Sequence, residues 1–410
     1  MLVMFKAKNF LSFQNEVVFD MRATTLREHP LHIANKCDMK ILKTNAVFGA
    51  NSSGKTNLIN ALWCYKQYIK NQLFNDVNEE AEYIPTIKMN PFSLTAKPSE
   101  DIELEMIFES RETLYQYGFA HRNRTIKSEW LSVNDQIVFE REGLDIIPGK
   151  KYKALLKDCT RLREDRLFIS VLDYFSVDEM KGIVDGFKDF INTGLCVLLE
   201  SNYSNTNKTI IFDRLSKRLS EDDILRKKIA RYLQLIDAKI IDLDVTPISV
   251  LDRRTGFSED KEIIEIIREI YDDAGKKAEE ARFEIDQEST GVVHFLLFIQ
   301  NALVMLKNGG TLVVDDLTAN LHPLVTRSIL SLFQSPDNNS AQLIFTTHDV
   351  SLLKKDIFRR DEITFVDKNK MGESSLYTLS DLKVRSDALY DKDYFNGKYG
   401  AIPIVRETIN

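Results

Sequence analysis

Apolar residues at every second position open the chain. Val3, Phe5, Phe10, Phe13, Val17, Val18 and Phe19 predict strands within residues 2–20, broken by a polar turn near Asn15. An apolar run ending at Phe48 comes next, and then the period changes. Leu58, Leu62, Tyr65 and Ile69 fall three or four residues apart, on one face of a helix. A charged, poorly periodic linker follows from about Asn75 to Glu82. Between Pro91 and Glu142 strand character returns in Ile102, Leu104 and Met106, in Tyr115, Tyr117 and Phe119, in Trp130, Leu131 and Val133, and in Ile137, Val138 and Phe139. These groups predict an antiparallel meander.

From Lys151 to about Ile285 the texture is helical. Asp213 to Ile236 is amphipathic with dense alternating charge, and Ser258 to Arg282 starts with Ser-Glu-Asp before Ile263, Ile266, Ile267 and Ile270, so both predict helices. Ile240 to Val250, between them, alternates like a strand. Neither helical stretch sustains heptads long enough for an extended coiled coil. The last third begins with a nearly all-apolar helix, Gly291 to Lys307, stopped by Gly309-Gly310. Three short apolar strands follow at Thr311–Val314, Gln342–Phe345 and Ile363–Val366. Apolar strands separated by helices predict a parallel sheet covered on both faces. The fold class is therefore α/β, in three parts: an N-terminal lobe over 1–150, a mainly helical insertion over 151–285 and a C-terminal lobe over 286–410.

Composition adds limits. The chain has 410 residues, enough for two or three domains, and its 55 basic against 62 acidic residues leave a net charge of −7. No global field draws it to nucleic acid or an anionic membrane. Cys37, Cys64, Cys159 and Cys196 lack zinc-site spacing and read as reduced thiols. No apolar run approaches the roughly 18 residues of a membrane span, and the N-terminus lacks a signal-peptide layout, so the expected location is the cytoplasm.

The chemistry begins at Gly49-Ala-Asn-Ser-Ser-Gly-Lys-Thr56, which fits G-x-x-x-x-G-K-[ST] between a predicted strand and a predicted helix. Such a loop wraps backbone N–H groups around a β-phosphate at a helix N-terminus, where free amides and the dipole favour anions. Gly49, Ala50, Asn51, Ser52, Ser53, Gly54, Lys55, Thr56 and Asn57 are thus the candidate ATP-binding residues, with Lys55 on the β/γ oxygens and Thr56 on Mg²⁺. In open parallel sheets ligands sit at the carboxyl ends of strands. Two further strands end there in Asp315-Asp316 and Thr347-His348. Asp315 is the candidate Mg²⁺ ligand, Asp316 the candidate acceptor of a proton from attacking water, and His348 the candidate γ-phosphate contact. Taken singly, an Asp pair at a strand end is a turn or cap and a lone His is structural. The loop upstream reverses both readings.

Glu288-Ser-Thr-Gly291, Gly309-Gly-Thr-Leu-Val-Val-Asp-Asp-Leu-Thr-Ala-Asn-Leu-His-Pro323 and Ala341-Gln-Leu-Ile-Phe-Thr-Thr-His-Asp349 together resemble the stand-alone ABC-type ATPases related to the RecF and SMC heads, the AAA15 type. Within that group they are similar to ATPase subunits of bacterial anti-phage systems, of the RloA/AbiL type and the AriA subunit of PARIS. Lys8-Asn-Phe-Leu-Ser-Phe13, Tyr115-Gln-Tyr-Gly-Phe119, Arg359-Arg-Asp-Glu-Ile363, Leu376-Tyr-Thr-Leu-Ser-Asp381 and Tyr394-Phe-Asn-Gly-Lys-Tyr-Gly-Ala-Ile-Pro403 extend the match to about residues 1–145 and 285–405. The resemblance implies an ABC-type P-loop ATPase head with a helical insertion. It also implies a homodimer or higher homo-oligomer with ATP in the interface, in which Ser289 and Gly291 clasp the γ-phosphate held by the opposite copy. Asn320 and His322 would lie near the two-fold axis. By itself Ser289 reads as an ordinary helix N-cap.

Two departures matter. The family usually has Asp-Glu where this chain has Asp315-Asp316, which predicts slow hydrolysis and a long-lived ATP-bound dimer. The glutamine that follows the P-loop helix in most ABC ATPases has no clear counterpart, and Asn90-Pro91-Phe92 only occupies its region. The leading expectation is an ATP-gated component of phage defence controlling a partner effector, which the resemblance implies to be a nuclease of TOPRIM (RloB-like or AriB-like) or HNH type, with room for a phage-derived trigger. The alternative is a RecF-like DNA-repair or DNA-maintenance ATPase that binds nucleic acid directly, through groups such as Arg122, Arg124 and Lys127, Lys150, Lys151 and Lys153, or Arg226 to Arg231. A transporter's nucleotide-binding domain ranks lowest, because the Ser289 segment lacks Leu-Ser-Gly-Gly-Gln.

Overall fold

The computed structural model describes residues 1–74, 87, 89–96, 99, 101–157, 162–175, 178–199, 205–251, 258–318, 321–385 and 387–403. The linker expected at Asn75–Glu82 lies wholly outside them. The first third contains strands β1 (Leu2–Lys8), β2 (Val17–Asp20), β3 (Ile33–Lys36), β4 (Met39–Leu42) and β5 (Thr44–Phe48), then helix α1 (Lys55–Leu73). It continues with β6 (Ile102–Ser110), β7 (Thr113–Arg122), β8 (Thr125–Val133), β9 (Gln136–Glu142) and β10 (Asp145–Pro148). The middle holds α2 (Phe168–Phe175), α3 (Asp178–Asp189), β11 (Leu195–Leu198), α4 (Asn205–Glu221), α5 (Asp223–Ile236), β12 (Ile240–Leu251), β13 (Ser258–Tyr271) and β14 (Lys277–Glu284). The last third runs α6 (Thr290–Asn308), β15 (Gly310–Val314), α7 (Pro323–Gln334), β16 (Ala341–Thr346), β17 (Ile363–Lys368), β18 (Ser374–Thr378) and α8 (Tyr390–Phe395).

One sheet is antiparallel, in the order β10-β9-β8-β7-β6-β1-β2, and contains the expected meander. The other runs β11-β15-β16-β5-β17-β18, parallel except for its last strand. Its strands are short and apolar because each face meets a core, and alternate residues divide between the two. Val47, Val313, Ile344 and Val366 join α1 and the antiparallel sheet. Ala46, Phe48, Leu312, Leu343, Phe345 and Phe365 join α6 and α7. The sheet is thereby clamped, and its carboxyl ends carry the loops after β5, β15 and β16.

Three expectations about the middle of the chain need correction. Ser258–Arg282 is not a helix but the hairpin β13–β14. Ile264 and Ile266 turn into the core while β13 pairs with both neighbours, a stiff β-branched run that tertiary pairing takes over, and Gly275 at φ 76° makes the turn. Asp213–Ile236 breaks at Asp222, whose carboxylate accepts from Leu225 N at 2.9 Å and caps α5. The middle of the chain is also not a mainly helical body. Residues of α2 and α3 pack into the N-terminal core, and β11 forms the edge of the parallel sheet beside β15. Arg141 and Glu129, both fully buried and 3.1 Å apart, reinforce that attachment: Glu129 also accepts from Phe168 N at 2.6 Å and Ile169 N at 3.0 Å.

Contrary to the sequence reading, one helix among the described residues, α6, is long and apolar enough to cross a membrane. Here it is a core helix, with Phe295, Leu296, Leu297 and Ile299 buried in the second core.

Candidate nucleotide site

The loop after β5 is shaped by what packs behind it. A side chain at Gly49 would run into the carbonyl of Val366 on β17. At Gly54, where φ is 119°, a Cβ would lie 2.5 Å from Ser374 Oγ and 2.8 Å from Ser12 Oγ. Ser374 Oγ donates to Ser53 O at 2.5 Å, and Asn57 Nδ2 donates to Ser12 Oγ at 2.8 Å. Asn57 therefore braces the loop from behind instead of facing its inner side. Ser53 Oγ is buried without a hydrogen-bond partner, and Asn51 and Ser52 are exposed. A tight loop with a spare buried hydroxyl and no room for a side chain at Gly49 or Gly54 fits a phosphate cradle.

Lys55, only 6% exposed, donates to Gly49 O at 2.8 Å and Ala50 O at 3.0 Å, and its ammonium lies 3.5 Å from His348 Nδ1. Burial lowers its pKa to about 8, against the opposing pull of Asp316 and Asp315. Burial, and then the Lys55 charge, also lower the His348 pKa, so the ring is neutral near pH 7 and able to donate from one nitrogen. Thr56 Oγ1 donates to Asp315 Oδ1 at 3.3 Å, and Thr346 Oγ1 donates to the same oxygen at 2.7 Å. A hydroxyl and a carboxylate so close are hard oxygen ligands suited to Mg²⁺. Asp316 follows at φ 48°, its N–H donating to Thr346 Oγ1 at 2.7 Å. Thr318 and Thr347 hydroxyls meet at 2.6 Å.

Ser289 caps α6, accepting from Val292 N at 3.3 Å, and is exposed, while Gly291 is half-buried. Among the described residues no hydrogen bond joins either to the loop 49–56. Asn320 lies outside the described residues, and His322 caps α7 by accepting from Leu324 N at 3.3 Å. Asn90 stands beside the turn that holds Ser12, its carbonyl accepting from Leu11 N at 2.9 Å. The sequence reading missed three supports: Thr346 behind Asp315, and Ser12 and Ser374 behind the loop. Thr346, two residues before His348, carried a legible signal. Ser12 and Ser374 carried none, because their role depends on a meeting across 362 positions.

Three solved structures share a loose likeness with this chain. The Smc head bound to the C-winged helix domain of ScpA has TM-score 0.48 at 12% identity, covering 92% of this chain and 97% of that one. The SMC head domain from Thermotoga maritima has TM-score 0.41 at 12% identity, with 93% and 99% covered. The Smc head with an extended coiled coil, bound to the C-terminal domain of ScpA derived from Pyrococcus furiosus, has TM-score 0.38 at 14% identity, with 92% and 96% covered. Comparison with curated proteins gives no match. The family model described as "AAA domain, putative AbiEii toxin, Type IV TA system" matches residues 44–354. With the loop after β5, the acidic end of β15 and the histidine after β16 gathered at the carboxyl end of the parallel sheet, the chain belongs to that family of ABC/AAA-type ATPases.

Proposed function

We propose that this chain is the ATP-binding, slowly hydrolysing subunit of a bacterial anti-phage system, whose ATP-driven assembly controls a partner effector nuclease. The observation that carries the reading is the meeting of three separate loops around Lys55 and Thr56, at 3.5 Å from His348 and 3.3 Å from Asp315. The toxin named in the family description supports the defence context.

In this reading the loop amides and Lys55 hold the β- and γ-phosphates, and Thr56 and Asp315 hold Mg²⁺, which supplies neutralising charge when bound. His348 donates to the γ-phosphate, and Asp316 orients and deprotonates the attacking water. The shorter Asp316 side chain stops short of the in-line position that a glutamate would reach. The free amides at the exposed start of α6, beside Ser289, offer an anion site to a second copy. Glu288 is gripped by Arg268 of β13 through bonds of 2.8 and 2.7 Å, which ties β13 to the residue before Ser289.

The test combines three measurements on the full chain and on Lys55→Ala: ATP hydrolysis, light scattering with and without Mg-ATP, and co-purification with the product of the neighbouring gene. Expected are slow turnover, ATP-dependent dimers or larger assemblies, and nucleotide-sensitive retention of a nuclease, all lost in Lys55→Ala. A monomer indifferent to ATP would refute the assembly mechanism. A nuclease activity in this chain alone, independent of Lys55, would refute the partner.

A further inference from the structure

At the opposite end of the parallel sheet, beside the first residues of β11 and β15, lies a cleft of about 1540 Å³. Its walls come from α1, α5, the C-terminal half of α6 and the turn after α3. Lys36, Lys66, Arg218, Lys228 and Arg231 line it, and among the described residues none of them has a carboxylate at ion-pair distance. Other cations on the rim do: Arg111 pairs with Asp189, and Lys307 with Asp222 at 3.4 Å. Lys66 donates to Leu195 O and Arg218 to Gln300 Oε1 at 2.9 Å, both neutral acceptors that leave most of their donors spare. A chain of net charge −7 thus concentrates uncompensated positive charge in one concavity.

The cleft is also apolar in a patterned way. Ile224, Lys228, Arg231 and Leu235 recur along α5 at four-, three- and four-residue steps, on one face. The opposite face, with Ile229 and Leu233, is buried in the core, while Ile224 is 71% and Leu235 50% exposed. We infer that this cleft docks an acidic, amphipathic helical segment of a partner protein. The segment's carboxylates meet Lys228, Arg231, Arg218 and the half-buried Lys66, and its aliphatic stripe covers Ile224 and Leu235.

A small molecule is disfavoured, because the volume exceeds the roughly 300–1,000 Å³ of small-molecule sites. Single-stranded nucleic acid needs exposed ring faces for stacking, whereas the two rings here are the buried Phe190 and the half-buried Tyr232. The position suits signalling. Lys66 lies eleven residues along the helix that starts with Lys55 and Thr56, about 16 Å away. Likewise α6 runs from Ser289 to the cleft. This coupling rests on the nucleotide reading above, but the docking does not.

The test uses fluorescence anisotropy with the full chain and a labelled helical peptide of about 18 residues, Leu on one face and Glu elsewhere. The comparison peptides replace Glu by Lys, or scramble the stripe at constant composition. Expected is binding of the acidic amphipathic peptide that falls about tenfold in K228E/R231E and about tenfold in I224S/L235S, with both variants keeping the melting temperature of the parent. Lys55→Ala should bind it unchanged, which separates failure of the nucleotide reading from failure of this one. Equal binding of the Lys peptide, or no loss in K228E/R231E, would overturn the proposal. So would tighter, variant-sensitive binding of a 20-nucleotide single strand, or an ATP-independent oligomer dissolved by K228E/R231E, which would assign the cleft to nucleic acid or to a second copy.

Discussion

The two ends of the parallel sheet are built on opposite principles. At the carboxyl ends, short side chains and backbone atoms answer one another: Thr346 and Thr56 bond Asp315, and Lys55 bonds its own loop. At the amino ends, long cationic side chains from α1, α4 and α5 stand with no carboxylate at ion-pair distance among the described residues, beside exposed aliphatic groups. The first arrangement is preorganised for a compact, highly charged ligand, where sub-ångström placement matters. The second tolerates side-chain movement and suits an extended partner with charge and apolar surface of its own. The helices α1 and α6 run between them.

The comparison breaks first if the N-terminal core does not carry the sheet. Arg141→Leu should leave Glu129 buried and unpaired and cost about 3–5 kcal/mol, measured by urea unfolding; a loss near zero would mean that residues 163–169 are not anchored to the meander. Next in size, Lys55→Ala should weaken Mg-ATP affinity on the order of a hundredfold without shifting the melting temperature by more than a few degrees. Calorimetric titration checks it. Asp316→Glu should raise steady-state turnover about tenfold, and turnover at or below that of the native sequence would show that the base is not misplaced.

The pH dependence sharpens the picture further. Lys55 titrates at about 8 in the nucleotide-free fold, and bound phosphates raise that value. Below pH 8 the ammonium is present in both states and affinity is flat. Above it, binding must take up a proton, so affinity should fall by up to about tenfold per pH unit until the bound form also titrates. Binding of a fluorescent ATP analogue between pH 7 and 9.5 would follow this, and Lys55→Arg, charged throughout, should flatten the curve. The smallest effect is expected for Ser374→Ala, about 1 kcal/mol of stability with loosened nucleotide binding, because Ser53 O and Ser12 lose one shared donor.

Much of this site was legible in the linear chain. Gly49, Gly54, Lys55 and Thr56 are local: the geometry of a phosphate loop is written in eight consecutive residues, and the apolar runs before Asp315 and His348 mark strands whose carboxyl ends must lie together. The hairpin β13–β14 was not legible. A run of isoleucines with interspersed charge satisfies a helical and an extended period alike, and only pairing with β12 chooses between them. Ser12 and Ser374 escaped for a related reason, since nothing near either residue announces the other.

The sequence by itself determined which groups could hold a triphosphate, and that the strands carrying them are buried on both faces, because loop chemistry and hydrophobic period are short-range properties. Only the tertiary structure decided which residues brace those groups, where the middle of the chain attaches, and that five cations with no carboxylate at ion-pair distance among the described residues share one cleft with the exposed face of α5. Those outcomes depend on contacts between residues tens or hundreds of positions apart, and no local pattern encodes them.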